Sequence, residues 1–376
     1  MKRLWMIPVV AASPLVVGLL ATSPLGCIFT TSRPAPPTAS SEPSSAHAEP
    51  SASAAATGTA IAAAGSGSAL ASAHADAGMP PEYSELTPPP CPTTQPSAQP
   101  PETKLTLVDP GAEPRKVLRY HPRAGLKRTV SYQLESHART EQNGQVQDQP
   151  PVLFTLTVDG AIATADDKEA RYEFHVAKVD VPEVKGRPAK YTEQVRKELG
   201  KWTDLRGAMV IDARGMTQKF EIAESAGKNL AAMQDIRVAL EQTANPLPEE
   251  PVGVGAKWEV STVVDTGLVL RGKTTFELLK LKADSGTVRF TIDQRSDKVG
   301  PAVCPQKNVV VVPLQWLASG SGERSFSLKE LLAGSFNTQL KVHNETRSFV
   351  TGEGEAKRGD AKLDVDIVTR MSVGKK

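Results

Sequence analysis

Cysteine, histidine and aromatic residues are scarce in this chain of 376 residues: there are three cysteines, six histidines and 5% aromatic residues. No histidine or cysteine of the folded part has a second such residue two to four positions away, so no local metal site is predicted. The chain also lacks Gly-x-Ser-x-Gly, His-Glu-x-x-His and a phosphate loop ending in Gly-Lys-Ser/Thr. From the sequence we therefore assign no catalytic residue, no metal and no cofactor.

Neither sign of charge dominates. The whole chain has a formal net charge of +2, and removal of Lys2 and Arg3 with a signal peptide leaves equal numbers of acidic and basic residues. A nucleic-acid-binding domain normally carries a strong basic stripe, which is absent from the sequence. Nucleic acid is therefore excluded as the expected partner.

Long hydrophobic runs are missing except at the start, where a short basic segment, Met1-Lys2-Arg3, precedes an apolar run over 4–20. The run closes on Pro24-Leu25-Gly26-Cys27, a layout that predicts a signal peptide over 1–26. It resembles a bacterial lipoprotein signal, which implies lipidation at Cys27 and a protein anchored to a bacterial membrane, on its periplasmic or cell-surface side. An ordinary cleaved signal and an uncleaved membrane anchor are the two alternatives.

Residues 27–103 consist largely of proline, alanine, serine and threonine, with scattered glycine. Such a segment has too little apolar bulk to offset the entropy of ordering it, so we expect a disordered tether. At this length a flexible chain averages about 50 Å from end to end. The tether is either a spacer that carries the folded part away from the membrane or a linker without a required length.

Two cysteines remain if Cys27 carries lipid. Cys91 and Cys304 both precede proline in turn-like sequence, and export places them in an oxidising compartment. We predict that they form a disulfide bond. The alternative is that Cys91 is a free thiol in the tether.

From residue 104 to 376, apolar residues return with a period of two, as in Val130, Tyr132 and Leu134. This alternation is typical of strands with one buried and one wet face, and Gly-containing turns separate the segments. The prediction is a single, mainly β domain (α+β class): an antiparallel curved sheet or open barrel. The continuous run Val309–Val312 indicates either a strand buried on both faces or one that faces an apolar cavity.

Two segments have helical periodicity instead. Leu230, Met233, Ile236 and Leu240 place apolar residues on one face of a helix over 229–244, which Asn245-Pro246 would end. A second, weaker pattern predicts a helix over 189–199.

The two halves of the domain, 116–224 and 252–373, look related. The segment 125–131 aligns with 255–261, Phe154-Thr155-Leu156 with Phe276-Glu277-Leu278, and 171–174 with 289–292. A duplication would give two similar meanders, with the 229–244 helix near their junction.

The twelve-residue segment Leu247-Pro248-Glu249-Glu250-Pro251-Val252-Gly253-Val254-Gly255-Ala256-Lys257-Trp258 resembles one found in uncharacterised bacterial lipoproteins and secreted β-rich proteins. In that family a proline turn follows a helix, and a strand begins at Gly-x-x-Trp. The resemblance implies an envelope location and a β-rich fold, and it implies no catalytic residues. The layout is also similar, by analogy alone, to lipoprotein carriers of the LolA and LolB kind, in which a curved sheet encloses an apolar cavity.

Three function classes remain. The first is a module that binds a lipid or other apolar ligand, with Trp202, Trp258, Trp316 and Met233 as candidate ligand contacts. The second is an assembly protein that docks on another envelope component, and the third is an enzyme of unrecognised type. Buried tryptophans more commonly serve as core anchors, which is the competing interpretation for all three.

Overall fold

The computed structural model describes residues 102–142, 144–223, 240, 244–265, 269–296, 299–300, 302–306, 308–350 and 357–374. In this part of the chain the elements are fourteen strands and one helix. They are β1 Glu102–Asp109, β2 Lys127–Gln142, β3 Gln145–Asp148, β4 Val152–Ala165, β5 Glu169–Asp180, α1 Ala189–Gly200, β6 Arg206–Asp212, β7 Thr217–Ile222, β8 Lys257–Asp265, β9 Val269–Lys282, β10 Ser285–Ser296, β11 Val303–Gln306, β12 Val309–Ser327, β13 Glu330–Val350 and β14 Lys357–Val373.

All fourteen strands belong to one antiparallel sheet with the order β1-β8-β9-β10-β12-β13-β14-β2-β4-β5-β6-β7, while β3 pairs with β2 and β11 with β12. The sheet stays open, with β1 and β7 at its two edges. The mainly β fold class with an antiparallel open sheet is therefore confirmed. Because β1 begins at Glu102, the sheet takes in two residues that the sequence analysis assigned to the tether.

The period-two pattern of the sequence becomes the two faces of the sheet. In β4, for example, Val152, Phe154, Leu156 and Val158 are buried, and the residues between them are half-buried. The buried faces of both halves join in one large core. Val309–Val312 is buried at every position, and Val310 and Val312 pack with Phe349 in a smaller second core. The prediction of a strand buried on both faces is thus confirmed.

The β1–β2 connection (residues 110–126) shows that the sheet curls at one end. The backbone N–H of Tyr120 donates to the carbonyl oxygen of Ala213 in the β6–β7 turn (2.8 Å), and that of His121 donates to Leu328 O in the β12–β13 turn (2.7 Å). Strands β13 and β6 are five steps apart in the sheet, a separation of about 24 Å in a flat sheet. Two adjacent residues hold the turns within about 10 Å of each other, so the sheet must curl.

The two halves begin in the same way. Gly125 before β2 and Gly255 before β8 both have positive φ, at 81° and 86°, which glycine adopts without steric cost. The N–H of Gly125 donates to Ile162 O, and that of Gly255 donates to Leu278 O, each at 2.7 Å. In both halves the residue that accepts this hydrogen bond, Ile162 or Leu278, also donates its own N–H to the carbonyl oxygen of the residue after the glycine, at 2.9 Å.

This equivalence corrects part of the sequence alignment. If Ile162 corresponds to Leu278, then Gly160, not Phe154, corresponds to Phe276. A Cβ atom on Gly160 would lie 1.8 Å from the hydroxyl oxygen of Tyr172 on the neighbouring strand. At the position in the first half that corresponds to Phe276, the aromatic ring therefore belongs to Tyr172 of β5 and not to a residue of β4. An alignment by residue type matches Phe276 with Phe154 and so pairs the wrong residues.

The helix predicted over 189–199 is confirmed as α1, with Thr192, Val195 and Leu199 buried. The segment 229–244 lies outside the described residues except for Leu240 and Ala244. Leu240 is helical and buried. In the described part of the chain, no helix is long and apolar enough to cross a membrane.

Candidate functional site

The three candidate tryptophans are buried. Trp258 and Trp316 have no exposed surface, and Trp202 is only 4% exposed. The Trp258 ring stacks on Phe276, with 5.6 Å between the ring centres, and Trp202 meets Phe154 edge to face at 5.9 Å. All three belong to the main core, which supports the core-anchor interpretation. A ligand contact at these residues stays a prediction, and Met233 lies outside the described residues.

The two fully buried tryptophans differ in one hydrogen bond. The Nε1–H of Trp258 donates to the carbonyl oxygen of Pro246 at 2.8 Å, which ties β8 to the turn after residue 244. The Nε1 of Trp316 is buried and has no hydrogen-bond partner among the described residues. An unpaired buried donor costs about 1–3 kcal/mol, so the two indoles contribute differently to stability.

Of the predicted cysteine sites, only Cys304 lies in the described part, in β11, where it is half-buried beside the second core. Cys304 is disulfide-bonded. Cys27 and Cys91 lie outside the described residues, so lipidation of Cys27 and the identity of the cysteine bonded to Cys304 stay predictions.

On the inner, apolar face of the curled sheet, the size and polarity of the side chains change along a row of paired residues. One row of register partners runs through Phe276, Phe290, Gly322, Thr338, Thr369, Leu134 and Phe154. Its ends are large and apolar, whereas its middle, on β12, β13 and β14, is small or bears hydroxyl groups. Gly322 and Thr369 are half-exposed, and the hydroxyl oxygen of Thr338 is buried without a hydrogen-bond partner among the described residues. The Phe290 ring covers Gly322, because a Cβ atom on this glycine would lie 2.6 Å from it, so the small residue accommodates the ring of its own row.

A charged side chain borders this centre. Arg324 lies two residues beyond Gly322 on β12 and is 5% exposed. Its guanidinium carbon is 5.0 Å from the centre of the Phe290 ring and 5.1 Å from that of Phe336. Its Nη1 donates to the carbonyl oxygen of Ala244 at 2.9 Å, while its Nε is buried without a partner among the described residues. We refer to Arg324, Phe290, Phe336, Tyr120 and the Ala244 carbonyl as the Arg324 site.

Arg324 keeps its positive charge at neutral pH although it is buried. Burial lowers its pKa to about 10, and the phenols of Tyr120 and Tyr132 oppose that change. Burial also raises the pKa of Tyr120 to about 12, so this phenol is neutral and does not compensate the charge. The Tyr120 oxygen accepts a hydrogen bond from the Asn245 N–H at 3.2 Å, which leaves its own proton to be donated.

A second polar group lies beside the smaller core. The Nε of Arg347, on β13, donates to Asp360 Oδ1 at 2.7 Å, and its Nη2 donates to Oδ2 at 3.1 Å. Arg358 donates to the same carboxylate at 2.7 Å. Burial raises the pKa of Asp360, but the two guanidinium groups outweigh burial and lower it to about 2. This pair joins β13 to β14 and has a structural role.

Histidine–carboxylate pairs, which an enzyme of unrecognised type would use, lie on the outer face. His343 Nδ1 is 2.7 Å from Asp364 Oδ1, and its Nε2 is 3.2 Å from Glu345 Oε1. His175 and Asp204 form a separate pair at 3.1 Å. A nucleophilic mechanism also needs a serine or cysteine bonded to the histidine, and the hydrogen bonds of the described residues include none. In the same part of the chain, no cluster of three or more potential metal ligands occurs.

The polar face of the sheet carries two depressions of about 500 Å³ each. One lies over Gly160, Ala161, Gly207 and Ala208 and is rimmed by charged residues that include Arg171. Its charges are largely paired, since Arg171 bonds Glu221 at 2.6 Å and Glu173 at 3.3 Å. The other lies over the polar faces of β10, β12 and β13. The residues that line this second depression include Arg324 and Phe336.

Sequence reasoning missed the Arg324 site. Arg324 follows Gly320-Ser321-Gly322-Glu323, a stretch that looks like a turn, whereas the structure extends β12 through it. The available signal was the period-two relation of Arg324 to Phe326 and Leu328, which places the arginine on the apolar face. Tyr120 gave no signal, because its position depends on the curl of the sheet.

No protein-family model matches the chain, and no curated protein matches its sequence. Among solved structures, it is similar to that of OccK11 (OpdR) of Pseudomonas aeruginosa at 6% identity, over 68% of this chain and 99% of that one. The TM-score is 0.18, a value at which the likeness carries no argument about fold or function.

Proposed function

We propose that this is a lipid-anchored protein of the bacterial cell envelope whose β-rich domain binds a lipid or other apolar ligand on the inner face of its curled sheet. The observation that carries the proposal is the apolar inner face of the curled sheet, on which Thr338 places a buried hydroxyl group without a hydrogen-bond partner among the described residues. Ligand sites are typically apolar surfaces with a few convergent polar groups. The rows of apolar residues on either side of Thr338, with its hydroxyl between them, have this composition.

The predicted lipid anchor and tether support the cell-envelope location in this proposal. An acyl chain gains about 0.8 kcal/mol for each buried CH₂ group, so a lipoprotein with two or three chains stays on its membrane. A tether of the length of 27–103 would let the domain reach ligands at some distance from the anchor.

Docking on another envelope component, the second class, would use an open edge of the sheet. Edge strands that avoid such pairing carry charged residues, and β1 has Glu102, Lys104 and Asp109. The charged residues of β1 therefore disfavour strand pairing at this edge of the sheet.

Native mass spectrometry of the whole protein tests the proposal. The chain is produced with its own export signal, extracted in a mild non-ionic detergent, and freed from the micelle by collisional activation. We expect an adduct with the mass of a lipid, separate from any covalent lipid at Cys27, which survives denaturation. A protein that carries only covalent lipid, and that takes up no single-chain amphiphile when one is added, would contradict the proposal.

A further inference from the structure

The two halves of the sheet repeat one packing arrangement beyond their opening glycines. The corrected alignment, carried across the register of the sheet, matches Phe174 with Phe290 and Gly207 with Gly322. A Cβ atom on either glycine would lie 2.6 Å from the phenylalanine ring beside it. It would also lie 2.5 Å (Gly207) or 2.3 Å (Gly322) from a backbone oxygen of the strand on its other side. The two glycines therefore have the same surroundings in both halves.

The two depressions of the polar face lie at these matched places. Gly207 is part of the lining of the first depression, and Gly322 is part of the lining of the second. The match continues at their exposed rims, where Glu173, Arg206 and Glu221 of the first correspond to Arg289, Ser321 and Asn337 of the second. A depression at the same place in both halves is a property of the repeated unit and not of one irregular strand.

The charges at both depressions are paired within the protein. In the first, Arg171 contacts Glu221 at 2.6 Å and Glu173 at 3.3 Å. In the second, Arg289 contacts Glu323 at 3.2 Å. Neighbouring charges of opposite sign largely cancel each other at a distance, so an anion or a cation gains little from entering. Donors and acceptors are nevertheless present together, which favours an uncharged ligand that makes many hydrogen bonds.

A sugar has this chemistry. Each sugar hydroxyl both donates and accepts, so it can bond to guanidinium, carboxylate, carboxamide and hydroxyl groups alike. Asn337, Gln339 and Ser321 supply carboxamide and hydroxyl groups in the second depression. In the first, Ala161 and Ala208 offer an apolar contact to the C–H face of a sugar ring. Each depression has a volume of about 500 Å³, within the range of about 300–1,000 Å³ that is usual for ligand sites.

Independently of the proposed lipid ligand, we infer that each depression binds a short stretch of an uncharged glycan, so that the domain has two glycan sites on its polar face. The strands β6 and β12, which carry the matched glycines, are six steps apart in the sheet, at most about 29 Å. One polysaccharide chain can therefore engage both sites. Two linked sites raise the avidity for a polymer by about 10²–10⁴-fold without any new contact.

The test counts oligosaccharides on the whole protein by native mass spectrometry, after extraction in a detergent without a sugar headgroup. Trimers of N-acetylglucosamine and of glucose are titrated separately. We expect two trimers of at least one sugar for each chain, and the preferred sugar distinguishes an amino-sugar glycan from a plain glucan. A soluble polymer of the same sugar, long enough to span both sites, should bind at least tenfold more tightly than the trimer in isothermal titration calorimetry.

Each depression has its own variant. The double variant Asn337→Ala, Gln339→Ala removes the carboxamides of the second depression. Glu173→Ala removes an exposed carboxylate of the first and leaves Arg171 with its other partner. Each variant should lower the number of bound trimers from two to one and weaken polymer binding about tenfold. The control is Gln315→Ala, at an exposed position of β12 outside both depressions, which should leave two trimers bound.

Three results would overturn the inference. The first is a wild-type protein that binds neither trimer or only one copy. The second is a count of two that neither variant lowers while circular dichroism shows a native fold. The third is a tenfold preference for an acidic trimer, trigalacturonate, which would contradict the argument from paired charges. None of these results bears on the lipid adduct that tests the proposed function, because that ligand is assigned to the opposite face.

Discussion

Replacement of Trp258 by phenylalanine should destabilise the protein by about 3 kcal/mol. The indole is fully buried and its Nε1–H donates to Pro246 O at 2.8 Å. Phenylalanine cannot donate this part-buried hydrogen bond, and a buried carbonyl left without its donor costs about 1–3 kcal/mol, so we expect about 2 kcal/mol here. The smaller ring also leaves a gap, which adds about 1 kcal/mol.

The same change at Trp316 is the matched control. Trp316 is equally buried, so the loss of ring volume is similar. Its Nε1 has no hydrogen-bond partner among the described residues, and phenylalanine removes an unpaired donor instead of breaking a bond. We expect Trp316→Phe to cost about 1 kcal/mol or less, so the two variants should differ by about 2 kcal/mol.

The measurement is urea unfolding followed by far-ultraviolet circular dichroism, with the free energy of unfolding extrapolated to water. Equal m-values for wild type and both variants are required before the free energies are compared, because a changed m-value signals loss of two-state behaviour. Two variants that differ by less than 0.5 kcal/mol, or a larger cost at Trp316, would refute the reasoning from hydrogen bonding.

Three further predictions follow from single contacts. Gly322→Ala should lower the free energy of unfolding by about 2–3 kcal/mol, since the new Cβ would lie 2.6 Å from a phenylalanine ring and 2.3 Å from a backbone oxygen. The control is Gly200→Ala, where the new Cβ meets open space and stability should not fall. Asp360→Asn should lower the free energy of unfolding by about 2 kcal/mol at pH 7, because it weakens the bond to Arg347. This cost is smaller than that of removing one partner of a fully buried ion pair. The pKa of Asp360 is lowered from 3.8 to about 2, so its stabilisation is complete above pH 4 and is lost as the pH falls through 2. The intact mass of the oxidised protein should be two hydrogens below that of the reduced protein, because Cys304 is disulfide-bonded.

Each of these has a clear contrary result. A neutral Gly322→Ala in urea unfolding would mean that the neighbouring ring is free to move away. A cost of Asp360→Asn that is the same at pH 2 and pH 7 would show that the carboxylate charge is not its origin. An oxidised protein with the mass of the reduced chain would contradict the disulfide bond.

The alternation of apolar and polar residues was sufficient to predict the strands, because a strand with one buried face has this period of two whichever strands it pairs with. Val130, Tyr132 and Leu134 were assigned to a strand on this basis, and the structure places them on the inner face of β2. The helix over 189–199 was also predicted, because Val195 and Leu199 recur at helical spacing.

Register and curl are not properties of a local pattern. Gly160 and Tyr172 interlock across two strands, so the sequence alignment of the halves was wrong at Phe154 although their opening glycines, Gly125 and Gly255, were matched. The Arg324 site depends on the same non-local information. Tyr120 reaches it only because the β1–β2 connection joins turns that lie five strands apart.

The pairing of β14 with β2 has a consequence for the order in which the fold is completed. β14 lies in the middle of the sheet, whereas β1, the first strand, lies at one edge. The sheet therefore becomes continuous through its centre only when residues 357–373 have been synthesised, since β2 has no other partner on that side; until then the halves are joined through β1, which pairs with β8. A protease that removes β14 would for the same reason divide the sheet at its centre and leave the two halves joined only through β1 and the β1–β2 connection.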